Sequence, residues 1–232
     1  MTERHGKRGM PGYFLMVCLL TGSIFVLCCS LLWSRTEERR SYQFIADLDG
    51  MEYDGSFLEK AGKLRGVCQI SPVLEIPIRL KMENYTMDTV IKAVDMEVFD
   101  KKVQYAREVP LGNTPVLFLG KDSLAGMRDS NDHSISEKQK KKFLENYADL
   151  KVEYAVPSAV SDEQAGEDEH WSSCIVAGIF SSPADGIYLP YSQSSALYGN
   201  AERPEVKALL TVRGRDNFEK VQSYFETRSG AE

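Results

Sequence analysis

The feature that most constrains this chain is an apolar run near the N-terminus, Tyr13–Trp33 (YFLMVCLLTGSIFVLCCSLLW). No charged residue occurs from Gly9 to Ser34. As a helix at ~1.5 Å per residue that stretch covers roughly 39 Å, more than the about 30 Å of a hydrocarbon core. Aromatic rings stand at both ends of the run, where they favour the headgroup region. The run predicts a single transmembrane helix after a short N-terminal tail, residues 1–12.

Two other interpretations of the apolar run are weaker. The hydrophobic core of a secretory signal peptide is shorter, and no A-x-A-like cleavage site follows the run. A lipoprotein signal would have a small residue before Cys28, but Leu27 stands there and apolar residues follow. We therefore expect a retained membrane anchor.

The charges that flank the run do not decide its orientation. Three Lys/Arg residues precede it and three follow it: Arg4, Lys7, Arg8, Arg35, Arg39 and Arg40. Acidic residues contribute little to the orientation rule, so the count stays tied. We expect the short tail to stay in the cytoplasm. The domain that follows the juxtamembrane segment, residues 34–41, should then lie outside it.

Net charge and cysteine content limit the possible functions of the residues after the apolar run. The chain carries a formal net charge of −6 at pH 7, and nucleic-acid binding needs a basic face, so no nucleic-acid partner is expected. Only Cys68 and Cys174 follow the apolar run. They permit one disulfide in an oxidising compartment, and two buried free thiols fit the sequence equally well.

Patterns of apolar residues predict a mixed α+β fold. Tyr42–Leu48 predicts a first strand, and Ser56–Arg65 a helix with Ser56 and Glu59 as a capping box. Within Leu74–Met82 every second residue is apolar, which predicts a strand with one buried face, including Ile78 and Leu80. Pro77 in that strand cannot donate to a ladder and favours an edge position or a bulge.

The second half of the chain follows the same rules. Asn84–Asp88 predicts a turn, Thr89–Phe99 and Pro115–Leu119 predict strands, and Leu150–Val156 predicts another strand. Between the last two, Ser136 caps a helical stretch with Gln139 as the box partner. Its lysines suggest either a lipid-headgroup patch or, more commonly, a solvated helix face: Lys138, Lys140, Lys141 and Lys142.

Two acidic segments are candidates for metal sites. The first turn carries four carboxylates, Asp47, Asp49, Glu52 and Asp54, but Met51 occupies the fifth EF-hand position and no Gly holds the sixth. The loop Ser161–His170 has the composition of a disordered excursion. We therefore predict no metal or cofactor site.

The sequence carries no recognisable catalytic motif. G-x-S-x-G, H-E-x-x-H and the phosphate loop G-x-x-x-x-G-K-[ST] are all missing from it. Cys174 with His170 is the one conceivable Cys/His pair, and Cys174 begins an apolar strand where a core thiol is expected. We predict no catalytic residues and no enzymatic activity.

The stretch Cys174–Gly199 (CIVAGIFSSPADGIYLPYSQSSALYG) resembles the periplasmic core domain of MacB/FtsX-like ABC-transporter permeases. In that family an apolar strand is followed by a strand ending in an aliphatic residue and Pro, a Ser, and a short helix with Leu-Phe/Tyr-Gly. Here those pieces are Ile175–Phe180, Ile187–Tyr191 and Ala196–Gly199.

The flanking segments extend the resemblance. Glu205–Val212 predicts a strand, and Asp216–Phe225 an amphipathic helix with Asp216 and Glu219 as its capping box. Upstream, a span, a strand, a helix and the segment Ile70–Val73 resemble the opening of the same domain.

The resemblance implies one extracytoplasmic domain over residues 42–227, ending in a tail over 228–232. Residues 110–200 should form an inserted β-rich subdomain within a βαβ-type sheet domain. Because the sequence ends at Glu232, we expect the later membrane helices of the family to be missing. ABC-transporter permease and ATPase subunits are the implied partners, besides the lipid bilayer. The alternative is a single-pass surface-binding or adhesion protein.

Overall fold

The computed structural model describes residues 21, 23–30, 36, 38–48, 50–99, 102–105, 114–157, 171–180, 186–198 and 204–229. Residues 21 and 23–30 are helical and exposed. Among the described residues, no helix is both long and apolar enough to cross a membrane. The N-terminal tail, the rest of the predicted span Tyr13–Trp33 and the acidic loop Ser161–His170 lie outside the described residues.

After residue 40 the described residues form nine strands and four α-helices, with two short 3-10 helices at Tyr147–Asp149 and Tyr191–Gln193. In chain order they are β1 (Ser41–Ala46), α1 (Gly55–Gly62), β2 (Val67–Met82), β3 (Tyr85–Val94), β4 (Val103–Tyr105), β5 (Val116–Leu119), α2 (Glu137–Glu145), β6 (Val152–Ala155), β7 (Ser172–Phe180), β8 (Ile187–Pro190), α3 (Ser194–Tyr198), β9 (Glu205–Arg213) and α4 (Arg215–Ser229). The predicted mixed α+β fold is confirmed.

The first part of β2 belongs to a three-stranded sheet with β9 in the middle. Both β1 and β2 pair antiparallel with β9, so β1 and β2 run parallel to each other and α1 connects them. Helices α1 and α4 pack on one face of this sheet, where the rings of Phe57 and Phe225 lie 6.3 Å apart. We call their shared core, which includes Leu210 and Val221, the helix core. In the sequence each helix follows a predicted strand, which favours packing of both on one face of a common sheet; the structure confirms that prediction.

The second part of β2 belongs to a closed ring of six strands. Around the ring, β2 pairs with β3, β3 with β8, β8 with β5, β5 with β7, β7 with β6, and β6 returns to β2. Alternate residues of these strands point inward and form the ring core, in which Ile78 and Leu80 are 1% and 0% exposed. Helix α2 contributes Phe143 to that core. The predicted burial of Ile78 and Leu80 is confirmed.

A third cluster, the outer core, joins the outside of the ring to the back of the three-stranded sheet. Its buried members include Val73, Leu209, Phe118 and Phe180. The chain after β3 crosses over it, with Phe99 buried against Phe180 and Tyr188 at ring separations of 5.6 and 4.8 Å. The two halves of the molecule are therefore held together by apolar packing as well as by β2.

Pro77 stands at a local edge within a strand that is paired on both sides before and after it. Strand β2 is paired along one side with β3, where Pro77 stands opposite Val90. On the other side, β9 pairs only as far as Glu75, and β6 begins at Arg79. Pro77 thus lies in the gap between those two partners, where a missing N–H costs no ladder hydrogen bond.

The connection after β2 is shorter than predicted. Met82 pairs directly with Tyr85, so the turn consists of Glu83 and Asn84 rather than Asn84–Asp88. Strand β3 ends at Val94, and the rest of the predicted strand Thr89–Phe99 forms a turn. Apolar alternation continues past Val94 because these residues cover the outer core.

Two predicted capping boxes are wrong. The N-cap of α1 is Asp54, whose carboxylate accepts a hydrogen bond from the Phe57 N–H at 2.8 Å, so Ser56 lies inside the helix. Helix α4 begins at Arg215, and Glu219 accepts a hydrogen bond from that guanidinium at 3.0 Å instead of closing a box with Asp216. In α2, by contrast, the predicted cap is confirmed, because the Ser136 hydroxyl accepts from the Gln139 N–H at 3.2 Å.

The strands of residues 110–200 do not stand apart in the sheet. β5, β6, β7 and β8 close the ring together with β2 and β3, and they share the ring core with Leu74–Met82. The division into a domain over 42–227 with an inserted subdomain stays a prediction.

Candidate functional site

The residues that the sequence offers as candidates for metal binding do not come together in one site. Within the described part of the chain, no group of three His, Cys, Asp or Glu residues is placed to hold a metal ion. In the first acidic turn, Asp47 contacts Lys207, Asp54 caps α1, and Glu52 is exposed, while Asp49 lies outside the described residues. The carboxylates of that turn therefore serve different local structures.

A charged cluster centred on Lys207 lies on the opposite face of the sheet from α1 and α4. The Lys207 ammonium is 2.6 Å from Asp47, 2.9 Å from Glu75 and 3.8 Å from Glu205. Glu75 also faces Lys92, at 3.6 Å. Partial burial alone would lower the pKa of Lys207, but hydrogen bonds to Asp47 and Glu75 outweigh it and hold the pKa above the usual lysine value. The cluster therefore links the end of β1 with β9, β2 and β3 through ion pairs.

The two thiols of the domain have opposite environments. Cys68 is exposed and Cys174 is buried in the ring core, and both are free, so the disulfide alternative is wrong for this structure. Burial, and then the charge of Glu153, raise the pKa of Cys174 to about 12. A thiol in that state is a poor nucleophile, because the thiolate is the reactive species. Its conceivable partner, His170, lies outside the described residues.

The lysine-rich helix α2 lies at the far end of the molecule from the N-terminal segment. Three of its lysines face acidic residues: Lys140 faces Glu137, Lys141 faces Glu145, and Lys142 faces Glu83 of the β2–β3 turn. β2 has 16 residues and runs from the start of the three-stranded sheet to that turn, a length of about 50 Å at ~3.3 Å per residue. We call the region of α2 and the Glu83–Asn84 turn the tip.

The opposite end, which we call the base, is where the N-terminal segment enters the sheet. It is formed by residues 38–41, 65–68 and 213–217. The Gly214 N–H donates to the Arg40 carbonyl at 2.9 Å, and the Arg213 N–H donates to the Gly66 carbonyl at 2.7 Å. A Cβ on Gly66 would lie 2.6 Å from Asn217 Cβ and 2.9 Å from the Arg213 carbonyl oxygen, and the φ of Gly66 is +91°. Only glycine fits this close approach without strain.

Sequence reasoning misses the base because its parts are far apart along the chain. The available signals are Gly66 and Gly214, both with positive φ in the structure. In the sequence, Gly66 indicates only the end of a helix. In the structure, both glycines lie where three segments meet at one corner of the sheet. These segments meet because β1 and β2 both pair with β9.

The residues that carry the family resemblance lie at the centre of the fold. The described part of Cys174–Gly199 forms β7, β8 and α3, in the predicted order of strand, strand and short helix. Leu197 of α3 packs against the ring core. Tyr191 directly follows β8 and is 38% exposed. Burial raises the pKa of Tyr53, and the nearby Tyr191 hydroxyl raises it further.

No family model matches the sequence, and no curated protein does. The solved structures that match over most of the chain include two domains of transporters. The extracellular domain of the noncanonic ABC-type transporter YknZ from Gram-positive bacteria shares 8% identity over 83% of this chain and 96% of its own, with a TM-score of 0.36. The periplasmic region of MacB from Actinobacillus actinomycetemcomitans shares 11% identity over 84% of this chain and 87% of its own, with a TM-score of 0.40. The chain is similar to both domains.

Proposed function

We propose that this chain is a membrane-anchored extracytoplasmic domain that serves a transport or efflux complex of the ABC type. It would act as a non-catalytic accessory protein or as one part of a split permease. One observation carries the proposal. The stretch Cys174–Gly199, which bears the resemblance to the MacB/FtsX-like core domain, supplies two strands of the ring and a helix packed on its core. The resemblance thus concerns the framework of the domain.

The membrane anchor of this proposal is the run Tyr13–Trp33. Its described residues 21 and 23–30 are helical, and Ile24, Phe25, Val26 and Leu27 are between 59% and 69% exposed. An apolar helical surface that the domain leaves uncovered is stable when lipid covers it. With the N-terminal tail in the cytoplasm, the single span would place the domain on the outer side of the membrane, next to the permease.

The chemistry of the described residues supports an accessory role. Cys174 is buried with a raised pKa, and His133 stands at an exposed turn where its ring nitrogen lies 3.4 Å from Asp129. Catalysis through either residue would need a nucleophile and a base converging on a substrate. Energy for transport would then come from ATPase subunits bound to the permease partner.

Co-purification tests the proposal. The full chain, tagged and expressed from its native locus, would be isolated in a mild detergent, with an unrelated tagged single-pass protein of equal abundance as the control. We expect a multispan membrane protein and an ATPase to accompany the chain, with vanadate-sensitive ATP hydrolysis in the eluate. Recovery of the chain alone, at the ATPase background of the control, would contradict a transport role and favour the adhesion alternative.

A further inference from the structure

Five exposed arginines converge at the base. They come from the juxtamembrane segment, the α1–β2 connection, the end of β9 and the start of α4: Arg39, Arg40, Arg65, Arg213 and Arg215. The whole chain is acidic, with a formal net charge of −6, so a concentration of arginine at one end runs against the overall balance. Such an asymmetry indicates a surface with its own partner.

Backbone contacts force these arginines together. Arg40 and Arg213 are fixed through the hydrogen bonds to Gly214 and Gly66, and Ser41 stands opposite Arg213 in the β1–β9 ladder. The other three arginines each lie next to a residue of that junction in the chain. The cluster is therefore built into the fold, at a corner where the backbone approach admits only glycine at position 66.

Several of these arginines also have contacts within the chain. Arg215 donates to Glu219 at 3.0 Å, and the Arg40 guanidinium lies 5.7 Å from the centroid of the Tyr42 ring. Glu38 and Asp216 are exposed in the same region. The described acids are fewer than the arginines there, whereas three lysines of the tip each face a glutamate.

We propose that the base is a docking surface for the anionic phospholipid headgroups of the membrane that holds Tyr13–Trp33. This rests on the proposed membrane anchor. Chain connectivity supports this docking surface, because Arg39 lies only six positions after Trp33 at the end of the span. Even a fully extended chain of that length keeps Arg39 within roughly 22 Å of Trp33. Guanidinium groups bind phosphate oxygens in a bidentate manner. The tip, up to about 50 Å away along β2, cannot reach the same headgroups.

Energy transfer from the base to the lipid surface tests this proposal. The full chain would carry serine at Cys18, Cys28 and Cys29 and a donor dye on exposed Cys68, with buried Cys174 left in place. It would be reconstituted into vesicles that contain a headgroup-labelled acceptor lipid. One set would be phosphatidylcholine alone and the other would include phosphatidylglycerol. We expect higher transfer in the anionic vesicles, and a decrease as salt is added.

Matched variants locate the effect. Arg39→Gln, Arg65→Gln and Arg213→Gln together should weaken docking on anionic vesicles by roughly 100-fold, since each arginine near such a surface contributes about fivefold. Lys138→Gln, Lys141→Gln and Lys142→Gln remove the same charge from the tip and should leave transfer unchanged. Replacing the three base arginines by lysine should keep most of the docking, which would show that charge rather than misfolding is responsible.

The outcomes separate this proposal from the anchor. Equal transfer in both lipids, or equal loss from the base and tip variants, in a chain that resists alkaline extraction would overturn lipid docking and leave the anchor intact. A chain that alkali extracts, but that binds anionic vesicles at neutral pH through the base arginines, would support docking and contradict the anchor.

Discussion

The two halves of β2 show two ways of building a core in one chain. Toward the base, β2 joins β1 and β9 in a sheet covered by α1 and α4, and this core is assembled from strand–helix units that are continuous in sequence. Toward the tip, the same strand is part of a ring whose other members come from segments as distant as Tyr85 and Pro190. Local pattern thus identifies the strand–helix units of the first half, which β9 then joins by long-range pairing, whereas the second half exists only when the ring closes.

Closure of the ring also determines how the ring core and the helix core respond to a cavity. The ring core is enclosed by six strands and by α2, so a cavity there has few ways to collapse. The helix core lies between a sheet and two helices, which can shift as rigid elements. We therefore expect substitutions in the ring core to destabilise the protein more than equivalent substitutions in the helix core.

Leu80→Ala should give the largest loss. Leu80 is 0% exposed in the ring core, and truncation of a buried leucine costs roughly 2–5 kcal/mol. The matched variant Leu210→Ala, also 0% exposed but in the helix core, should cost less. Chemical unfolding of the full chain in detergent measures both. A larger loss for Leu210→Ala would contradict the contrast, and a loss below about 0.5 kcal/mol for Leu80→Ala would mean that the ring is wrongly described.

Gly66→Ala should destabilise the base by about 2–3 kcal/mol, because a side chain at positive φ adds strain to the contact with Asn217. Gly62→Ala is the matched control. No atom lies within 4 Å of the Cβ it would add, and it should stabilise α1 slightly. The free energy of unfolding measures both, and equal effects of the two variants would refute the close approach at the base.

Cys174 should make the ring sensitive to alkali. Its pKa is raised from 9.0 to about 12 by burial, so its contribution to stability is complete below pH 9 and is lost as the pH rises toward 12. The difference in unfolding free energy between wild type and Cys174→Ala should shrink by about 1.4 kcal/mol from about pH 8 to about pH 10. Val176→Ala, on the same strand, should show a loss that does not change over that interval. A constant difference for Cys174→Ala as well would mean that the thiol is hydrated.

Asp54→Ala should cost about 1 kcal/mol by removing the N-cap of α1, whereas Ser56→Ala should stay within about 0.5 kcal/mol. Thermal unfolding of the two variants under one condition distinguishes them. The reverse order would restore the capping box that the sequence predicted from Ser56 and Glu59.

The sequence predicted the presence of strands and helices better than it predicted where they end or which strands pair. Alternation identified β2 and the burial of Leu80, because one face of a strand needs apolar residues wherever the strand pairs. It could not choose between Asp54 and Ser56 as the cap, since both residue types are good N-caps. Nor could it explain Pro77, whose tolerance depends on where β9 ends and β6 begins.

For the same reason, the sequence reveals the basic residues of the tip but not those of the base. The lysines of α2 are close together in sequence and visible as a basic stretch, yet the structure pairs three of them with acids. The arginines of the base are not recognisable as a group, because Arg65 and Arg213 meet Arg40 only through the pairing of β9 with β1 and β2. Long-range pairing is the information that pattern alone does not carry.

The proposed role in transport requires the domain to lie outside the cytoplasm. A variant with Asn84→Cys at the exposed tip, and serine at Cys18, Cys28, Cys29 and Cys68, would be treated in intact cells with a membrane-impermeant thiol reagent. Buried Cys174 serves as the internal control that should not react. We expect the thiol introduced by Asn84→Cys to be labelled without lysis, as an extracytoplasmic domain requires. Labelling only after the membrane is broken would place the domain in the cytoplasm and contradict the proposed role in transport.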